Sequence, residues 1–370
     1  MPKLPARHFR RLHVPVLRAL LCPLAAVAVM ACATGDMDDR SASAPPSMDD
    51  GTADTMSGVA GGGGGLLDPG AALDRELDDG LDDSDDSSVV HSGAVRRTSF
   101  EVGPYVFDAR HAGPEDGELV VLLHGFPQTS YCYREALSVL GEAGYHAVAP
   151  DLRGYSEQAR PTEVEDYRIE LLVGDVLGIV GALGVERFHL VGHDWGGVIA
   201  WKVAADHGAR LHSLTVLSTP HIDALRAAEQ DPSSDQAMRS AFLDRFTGEG
   251  GARSLLALGE SGLRLMYTGI DPDDIEYYVS QVGNEEVLDN ALNYRRANGI
   301  SPIEIGPIAV DTLYVHGADD QAFGPDAAAG TADHIDADYR FESLEGVNHW
   351  VPDIEAQLVG AWILQHVQAH

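Results

Sequence analysis

The chain has 370 residues, with 58 acidic and 25 basic side chains and a formal net charge of −33. Nucleic acid and anionic lipid surfaces are poor partners for such a body, because both need a cationic face. Of the three cysteines, Cys22 and Cys32 lie near the start and Cys132 stands alone, which excludes an intrachain disulfide or a cysteine-based metal site in the rest of the chain.

Residues 1–32 read as a signal peptide with a lipobox. Five basic residues and no acidic one precede or flank Ala19–Ala31, an almost unbroken apolar run of 13 residues, too short to span a bilayer. Val29-Met30-Ala31-Cys32 resembles a bacterial lipobox in which Cys32 carries the lipid; the alternative is plain cleavage near Ala31 or Ala33. The chain is therefore expected to be exported, to the bacterial cell envelope, the periplasm or the exterior, with a lipid at Cys32 as its membrane contact. Residues 33–92 hold 15 acidic and 2 basic residues, no aromatic one, the glycine run 61–65 and an acidic stretch from Asp68 to Asp86 interrupted only by Arg75. That composition predicts a disordered acidic linker, since it buries too little apolar surface to offset ordering entropy. The spacing of an EF-hand calcium loop is absent.

From 93 onward the chain still holds 43 acidic against 18 basic residues, but its patterning changes. Val95–Val102 and Tyr105–His111 predict a hairpin around Gly103-Pro104. Apolar runs follow at Leu119–Leu123, Ala147–Ala149, Phe188–Val191, Leu214–Leu217, Thr312–Val315 and Tyr339–Leu344, the form taken by strands buried on both faces. Helical patterning at Tyr131–Gly144 and Leu171–Gly184 lies between them. Alternation of this kind predicts a mostly parallel sheet of eight strands, with helices on both faces and the first pair antiparallel. Residues of about 221–306 interrupt it without a clear strand and read as a helical cap inserted into a catalytic body of 93–370.

Between the strand Phe188–Val191 and the apolar run Val198–Ala204 stands Gly192-His193-Asp194-Trp195-Gly196. Small residues at both ends let a strand turn sharply into a helix and push the central side chain outward. With Asp194 at that centre, the nucleophile is a carboxylate, ionised at neutral pH without an activating base. It attacks amides poorly but can displace a leaving group at saturated carbon, forming an ester that water later cleaves. This points to epoxides or carbon–halogen bonds rather than peptides.

With His124-Gly125-Phe126-Pro127, Asp151-Leu152-Arg153-Gly154-Tyr155-Ser156 and the elbow in hand, the chain from about 95 onward resembles the epoxide-hydrolase and haloalkane-dehalogenase branch of the α/β-hydrolase superfamily. The resemblance implies an α/β-hydrolase fold and an oxyanion hole from the backbone N–H groups of Phe126 and Trp195. It selects Asp320 in Gly317-Ala318-Asp319-Asp320 as the triad acid, with Asp319 as the neighbouring alternative, and His349 in Gly346-Val347-Asn348-His349-Trp350 as the base. His124 is expected to pack the loop. The substrates implied are a small hydrophobic organic molecule and water, with neither cofactor nor metal.

The leaving group is less clearly marked. Family members that open epoxides carry two cap tyrosines; here the matching segments read Arg245-Phe246 and Asn293-Tyr294-Arg295-Arg296. Tyr294 is one residue early as a proton donor, with Tyr267, Tyr277 and Tyr278 as further cap tyrosines whose ordinary role is packing. Dehalogenation of a haloalkane or haloacid needs no proton, and the Trp195 indole N–H beside the nucleophile suits a departing halide. Epoxide opening leads, dehalogenation follows, and a non-catalytic surface-binding lipoprotein on the same scaffold comes third.

Overall fold

The computed structural model describes residues 93–370 except 245, 249 and 300–302. The signal peptide, Cys32 and the acidic segment 33–92 therefore lie outside the described residues. Among the described residues, eight strands form one sheet: β1 (Arg96–Val102), β2 (Tyr105–Ala112), β3 (Leu119–Leu123), β4 (His146–Pro150), β5 (Phe188–His193), β6 (Leu211–Leu217), β7 (Thr312–Gly317) and β8 (Tyr339–Leu344). Their order is β1-β2-β4-β3-β5-β6-β7-β8. Only β2 runs against its neighbours, antiparallel to both β1 and β4; every other pairing is parallel. This is the α/β-hydrolase fold.

Local chemistry explains the strand positions. Val102 pairs with Tyr105, so the β1–β2 connection is the two residues Gly103-Pro104. A two-residue hairpin with the twist of its strands needs a positive φ at its first position, and Gly103 has φ +58°. β3 and β4 are buried along their whole length, β3 lying between β4 and β5, so neither strand alternates apolar with polar residues.

Helices cover the sheet in pairs. α1 (Arg134–Glu142) follows a short 3₁₀ turn at Ser130–Tyr133. It packs against the last helix, and α2 (Ile169–Ala182) packs against α3 (Trp195–His207). The mean character of α3 is apolar all round, with Val198, Ile199, Ala200, Trp201, Val203 and Ala204 buried, as suits a helix embedded in the core.

Between β6 and β7 the chain forms α4 (Ile222–Gln230), α5 (Gln236–Asp244), α6 (Gly251–Met266), α7 (Pro272–Val282) and α8 (Glu285–Asn298). α6 is broken at Ala257–Glu260, where Leu258, Gly259 and Glu260 take left-handed backbone. Asp271 caps α7 by accepting from the Asp273 N–H, and Asn284 caps α8 by accepting from the Val287 N–H. After β7 come α9 (Pro325–Gly330), α10 (Val351–Ile354) and α11 (Ala356–Val367).

Candidate active site

Asp194 sits where β5 turns into α3, with φ 50° and ψ −119°. A non-glycine residue in that region carries about 1–3 kcal/mol of strain, held in place by its surroundings. The surroundings here tolerate no extra atom. A Cβ on Gly192 would stand 2.3 Å from the Gly196 carbonyl oxygen, and one on Gly196 would stand 2.1 Å from that of Leu123. Two glycines thus let the strand, the turn and the helix close on one another, and the Asp194 side chain is what protrudes.

The carboxylate is met from two sides. The Phe126 N–H donates to Oδ1 at 2.8 Å. His349 Nε2 lies 3.5 Å from Oδ2. On the other edge of the imidazole, Nδ1 is 2.9 Å from Asp320 Oδ2. Asp320 Oδ1 accepts from the N–H groups of Ala322 (2.7 Å) and Phe323 (3.1 Å), so both carboxylate oxygens are engaged. The neighbouring alternative separates cleanly: Asp319 is exposed and Asp320 is 2 % exposed. Trp195 is the first residue of α3, where a helix offers its N–H no internal acceptor.

Further residues hold this arrangement that the sequence patterns did not single out. The His349 carbonyl oxygen accepts from Ser218 Oγ at 2.8 Å and lies 2.9 Å from His193 Nε2. Thr219 Oγ1 donates to the Asp194 carbonyl at 2.9 Å. Ser and Thr at a strand end carry no motif, so only their position at the tip of β6 reveals them. His124 is structural: Nε2 accepts from the Leu152 N–H at 3.0 Å and Nδ1 lies 3.0 Å from the Gly125 carbonyl.

Burial alone would neutralise all three charged groups, but their mutual contacts win. Burial pushes the Asp194 carboxyl up, yet the hydrogen bond and charge of His349, with help from His193 and the Phe126 N–H, hold it below its ordinary range. Burial likewise opposes ionisation of Asp320, and the charge of His349 overcomes it. For His349 burial favours the neutral ring, but Asp320 and Asp194 together push its pKa up to about 10. The resting site is an imidazolium between two carboxylates.

Tyr294 is placed differently from the donor expectation. Its hydroxyl donates to the Arg153 backbone carbonyl at 2.8 Å, and its ring packs against Tyr167 at 5.5 Å and Trp195 at 5.7 Å. A position one residue early on α8 turns the side chain toward the Arg153 loop. In this arrangement its hydroxyl proton is engaged by that carbonyl. Tyr267 donates to the Pro127 carbonyl (2.6 Å), Tyr278 to Asp353 (2.8 Å), and Tyr277 accepts from Arg110. Arg295 is bound to Asp244 at 2.8 Å through Nε.

One grouping among the described residues has metal-ligating types within reach of each other: His221, Asp223 and His334. Two of its three members are already engaged by other groups, and His334 stacks on His221 at 4.5 Å. His221 Nδ1 accepts from the Asp223 N–H, its Nε2 lies 3.3 Å from the Gly306 carbonyl, and Asp223 pairs with Arg226.

Asp353, on α10 just beyond His349, is a buried carboxylate bonded to Tyr278 and 3.2 Å from Arg134. Burial raises its pKa to about 6 against the opposing pull of Arg134 and Tyr278. A pKa higher in the folded than in the unfolded chain means that the proton favours folding. Stability from this group is full below its ordinary value of 3.8 and is lost as pH rises through about 6. The loss is on the order of 2–3 kcal/mol. In thermal melts, wild type should lose ground against Asp353→Asn between pH 4 and 6, with a constant difference above pH 7. A difference independent of pH would show that Asp353 titrates normally.

A sequence profile of the alpha/beta hydrolase fold family matches residues 118–356, and the chain belongs to that family. Several of the proteins it resembles carry the name epoxide hydrolase. Epoxide hydrolase A of Mycobacterium tuberculosis is 41% identical over 135 residues, 36% of this chain and 40% of that protein. The match therefore spans less than half the length of that relative. Epoxide hydrolase 3 of Xenopus tropicalis is 29% identical over 262 residues, covering 67% of this chain and 71% of that one. Among solved structures, a metagenomic epoxide hydrolase from hot environments has a TM-score of 0.67 at 24% identity, over 74% of this chain and 98% of its own. The Bacillus megaterium epoxide hydrolase bound to an inhibitor has a TM-score of 0.66, also at 24% identity, over 73% of this chain and 100% of its own. At that identity the likeness speaks for the fold.

Proposed function

We propose that this chain opens epoxides to vicinal diols through an alkyl-enzyme ester on Asp194. The observation that carries the reading is the carboxylate at the elbow, bonded to the Phe126 N–H and facing the imidazole of His349. Asp194 Oδ2, on the side away from that N–H, would attack a ring carbon and open the C–O bond. Water would then attack the ester carbonyl carbon, with His349 taking its proton and the Phe126 and Trp195 N–H groups holding the developing charge. The relatives named as epoxide hydrolases support the same substrate class.

The charge state of His349 fits two steps in sequence. In the free site two carboxylates hold its proton, so it cannot act as a base. Alkylation converts Asp194 into a neutral ester and removes one of the two. The imidazole pKa then falls, and the ring can shed its proton and become a base at the stage where water must be activated.

The second reading is dehalogenation by the same nucleophile. It is favoured by the Trp195 indole beside Asp194, since a halide needs N–H donors and no proton. Incubation with styrene oxide and with 2-phenylethyl bromide, followed by assay for diol and free bromide, decides between them. Diol with little bromide supports the epoxide reading; bromide alone overturns it. For the N-terminus, the proposal is export with a lipid at Cys32, tested by labelling cells with a radioactive fatty acid and comparing Cys32→Ser.

A further inference from the structure

Opening an epoxide leaves an alkoxide unless a proton arrives with the attack, and no cap tyrosine among the described residues has a hydroxyl proton aimed at Asp194. Tyr267, Tyr278 and Tyr294 donate theirs to Pro127, Asp353 and Arg153. Tyr277 stacks on Tyr131 at 4.0 Å and meets Arg110, in the surroundings of Asp151 rather than of Asp194.

We propose that Tyr155, in the loop after β4, is the catalytic residue that protonates the leaving oxygen. The proposal rests on the epoxide reading of the site. Tyr155 is 8 % exposed, and its hydroxyl has no hydrogen-bond partner among the described residues. That oxygen is also absent from the buried polar atoms that lack both a partner and solvent access, so the small exposed part of the residue includes its hydroxyl. A phenol that is otherwise enclosed, with an unpaired hydroxyl opening into free space, is arranged to meet a ligand.

Its location suits the role. The Tyr155 ring stands edge-on to that of His124 at 4.6 Å and 87°, and 6.4 Å from that of Tyr294. His124 precedes Gly125, whose Cα faces the nucleophile so closely that a Cβ there would be 2.2 Å from Asp194 Cβ. The phenol is within electrostatic reach of Asp194 and of the cap residues Tyr294 and Tyr267. The backbone is fixed, with the Tyr155 N–H on the Leu152 carbonyl at 2.9 Å and Ser156 Oγ donating to the Asp151 carbonyl at 2.6 Å. A donor on the body rather than the cap is in place before the cap engages substrate. Burial keeps the phenol protonated at any working pH. An alkoxide is still the stronger base, since an aliphatic alcohol is a weaker acid than a phenol.

The step balances without any other reactant. A bond forms between an Asp194 oxygen and a ring carbon, the ring C–O bond breaks, and the freed oxygen takes the Tyr155 proton. In the second step water gives a proton to His349 and its hydroxide to the ester carbonyl, releasing the diol and Asp194. The proton that His349 shed after alkylation reaches the Tyr155 phenolate through solvent, and the proton taken from water restores the imidazolium, so the sum is epoxide plus water to diol.

Single-turnover alkylation of Asp194, followed by rapid quench and intact mass, tests this on the full chain. Tyr155→Phe should slow alkylation by propylene oxide about 10²-fold or more, the usual scale for a general acid. The loss should shrink with trifluoromethyl oxirane, whose alkoxide leaves more easily, while Tyr294→Phe treats the two epoxides alike. Unchanged alkylation in Tyr155→Phe, or an equal loss on both epoxides, overturns the assignment. A wild-type chain that neither epoxide alkylates overturns the epoxide reading itself, and the assignment with it. A Tyr155→Phe protein with an unaltered melting temperature separates lost chemistry from lost folding.

Discussion

His349→Gln is expected to trap the alkyl-enzyme. Attack by Asp194 needs an ionised carboxylate at the elbow, which the Phe126 N–H continues to support at 2.8 Å without the imidazole. Hydrolysis of the ester needs a base beside the carbonyl, and glutamine is none. Turnover should fall by about 10²–10⁴-fold, the range for loss of a general base. Intact mass after incubation with styrene oxide should show one added substrate on His349→Gln and none on Asp194→Ala. A His349→Gln protein that stays unmodified while folded would show that the imidazole is needed for the first step. Steady accumulation of diol at the wild-type rate would remove it from the mechanism altogether.

Asp320→Asn should be nearly as damaging, for a reason that lies in its hydrogen bonds. Oδ1 of Asp320 accepts from two backbone N–H groups, and Oδ2 faces His349 Nδ1. An asparagine would give its only acceptor oxygen to those two N–H groups and turn its NH₂ toward the imidazole. The ring would then keep its lone pair at Nδ1 and its proton at Nε2, the tautomer that cannot accept a proton from water. Loss of an orienting carboxylate in this way lowers turnover by about 10⁴-fold in the serine-protease triad, and a similar scale is expected here. Asp319→Asn changes an exposed side chain and should leave turnover within a factor of about 2. Steady-state diol formation by the two variants checks both expectations, and equal effects would refute the pairing of His349 with Asp320 alone.

Much of this site can be read from the chain because its parts are local. Gly192, Asp194 and Gly196 sit within five residues, and the sharp turn they make depends on the missing Cβ atoms at either end. The strands β3 to β7 are legible for a related reason. Strands buried on both faces must be apolar throughout, so Leu119–Leu123 and Thr312–Gly317 announce themselves. α9 and α11 were not marked by the same reading. Pro325–Gly330 is too short for a period to show, and α11 combines buried Val359, Ile363 and Val367 with a modest polar face.

Tyr294 marks where this legibility stops. Its chain position puts it near the expected donor place on α8, but one residue on a helix is about 100° of rotation. Whether its hydroxyl reaches Asp194 or a backbone carbonyl depends on what the neighbouring loop offers, and Arg153 offers an acceptor at 2.8 Å. Asp353 poses a similar problem, since its sequence neighbours predict neither its burial nor the contact with Tyr278.

The sequence by itself determined which reactive groups exist and where the chain turns sharply: a carboxylate between two glycines, an acid and a histidine in order behind it, and a parallel sheet to carry them. Those features depend on side-chain type and near spacing, which a linear chain states outright. The tertiary structure alone decided how protons and charges are shared. It buried Asp320 and exposed Asp319, set His349 between two carboxylates, occupied the hydroxyls of Tyr267, Tyr278 and Tyr294, and left that of Tyr155 without a partner among the described residues. The physical reason is that burial and hydrogen bonding are set by groups far apart in the chain. A pKa or a free hydroxyl is a property of that surrounding shell and does not exist until the chain has closed around it.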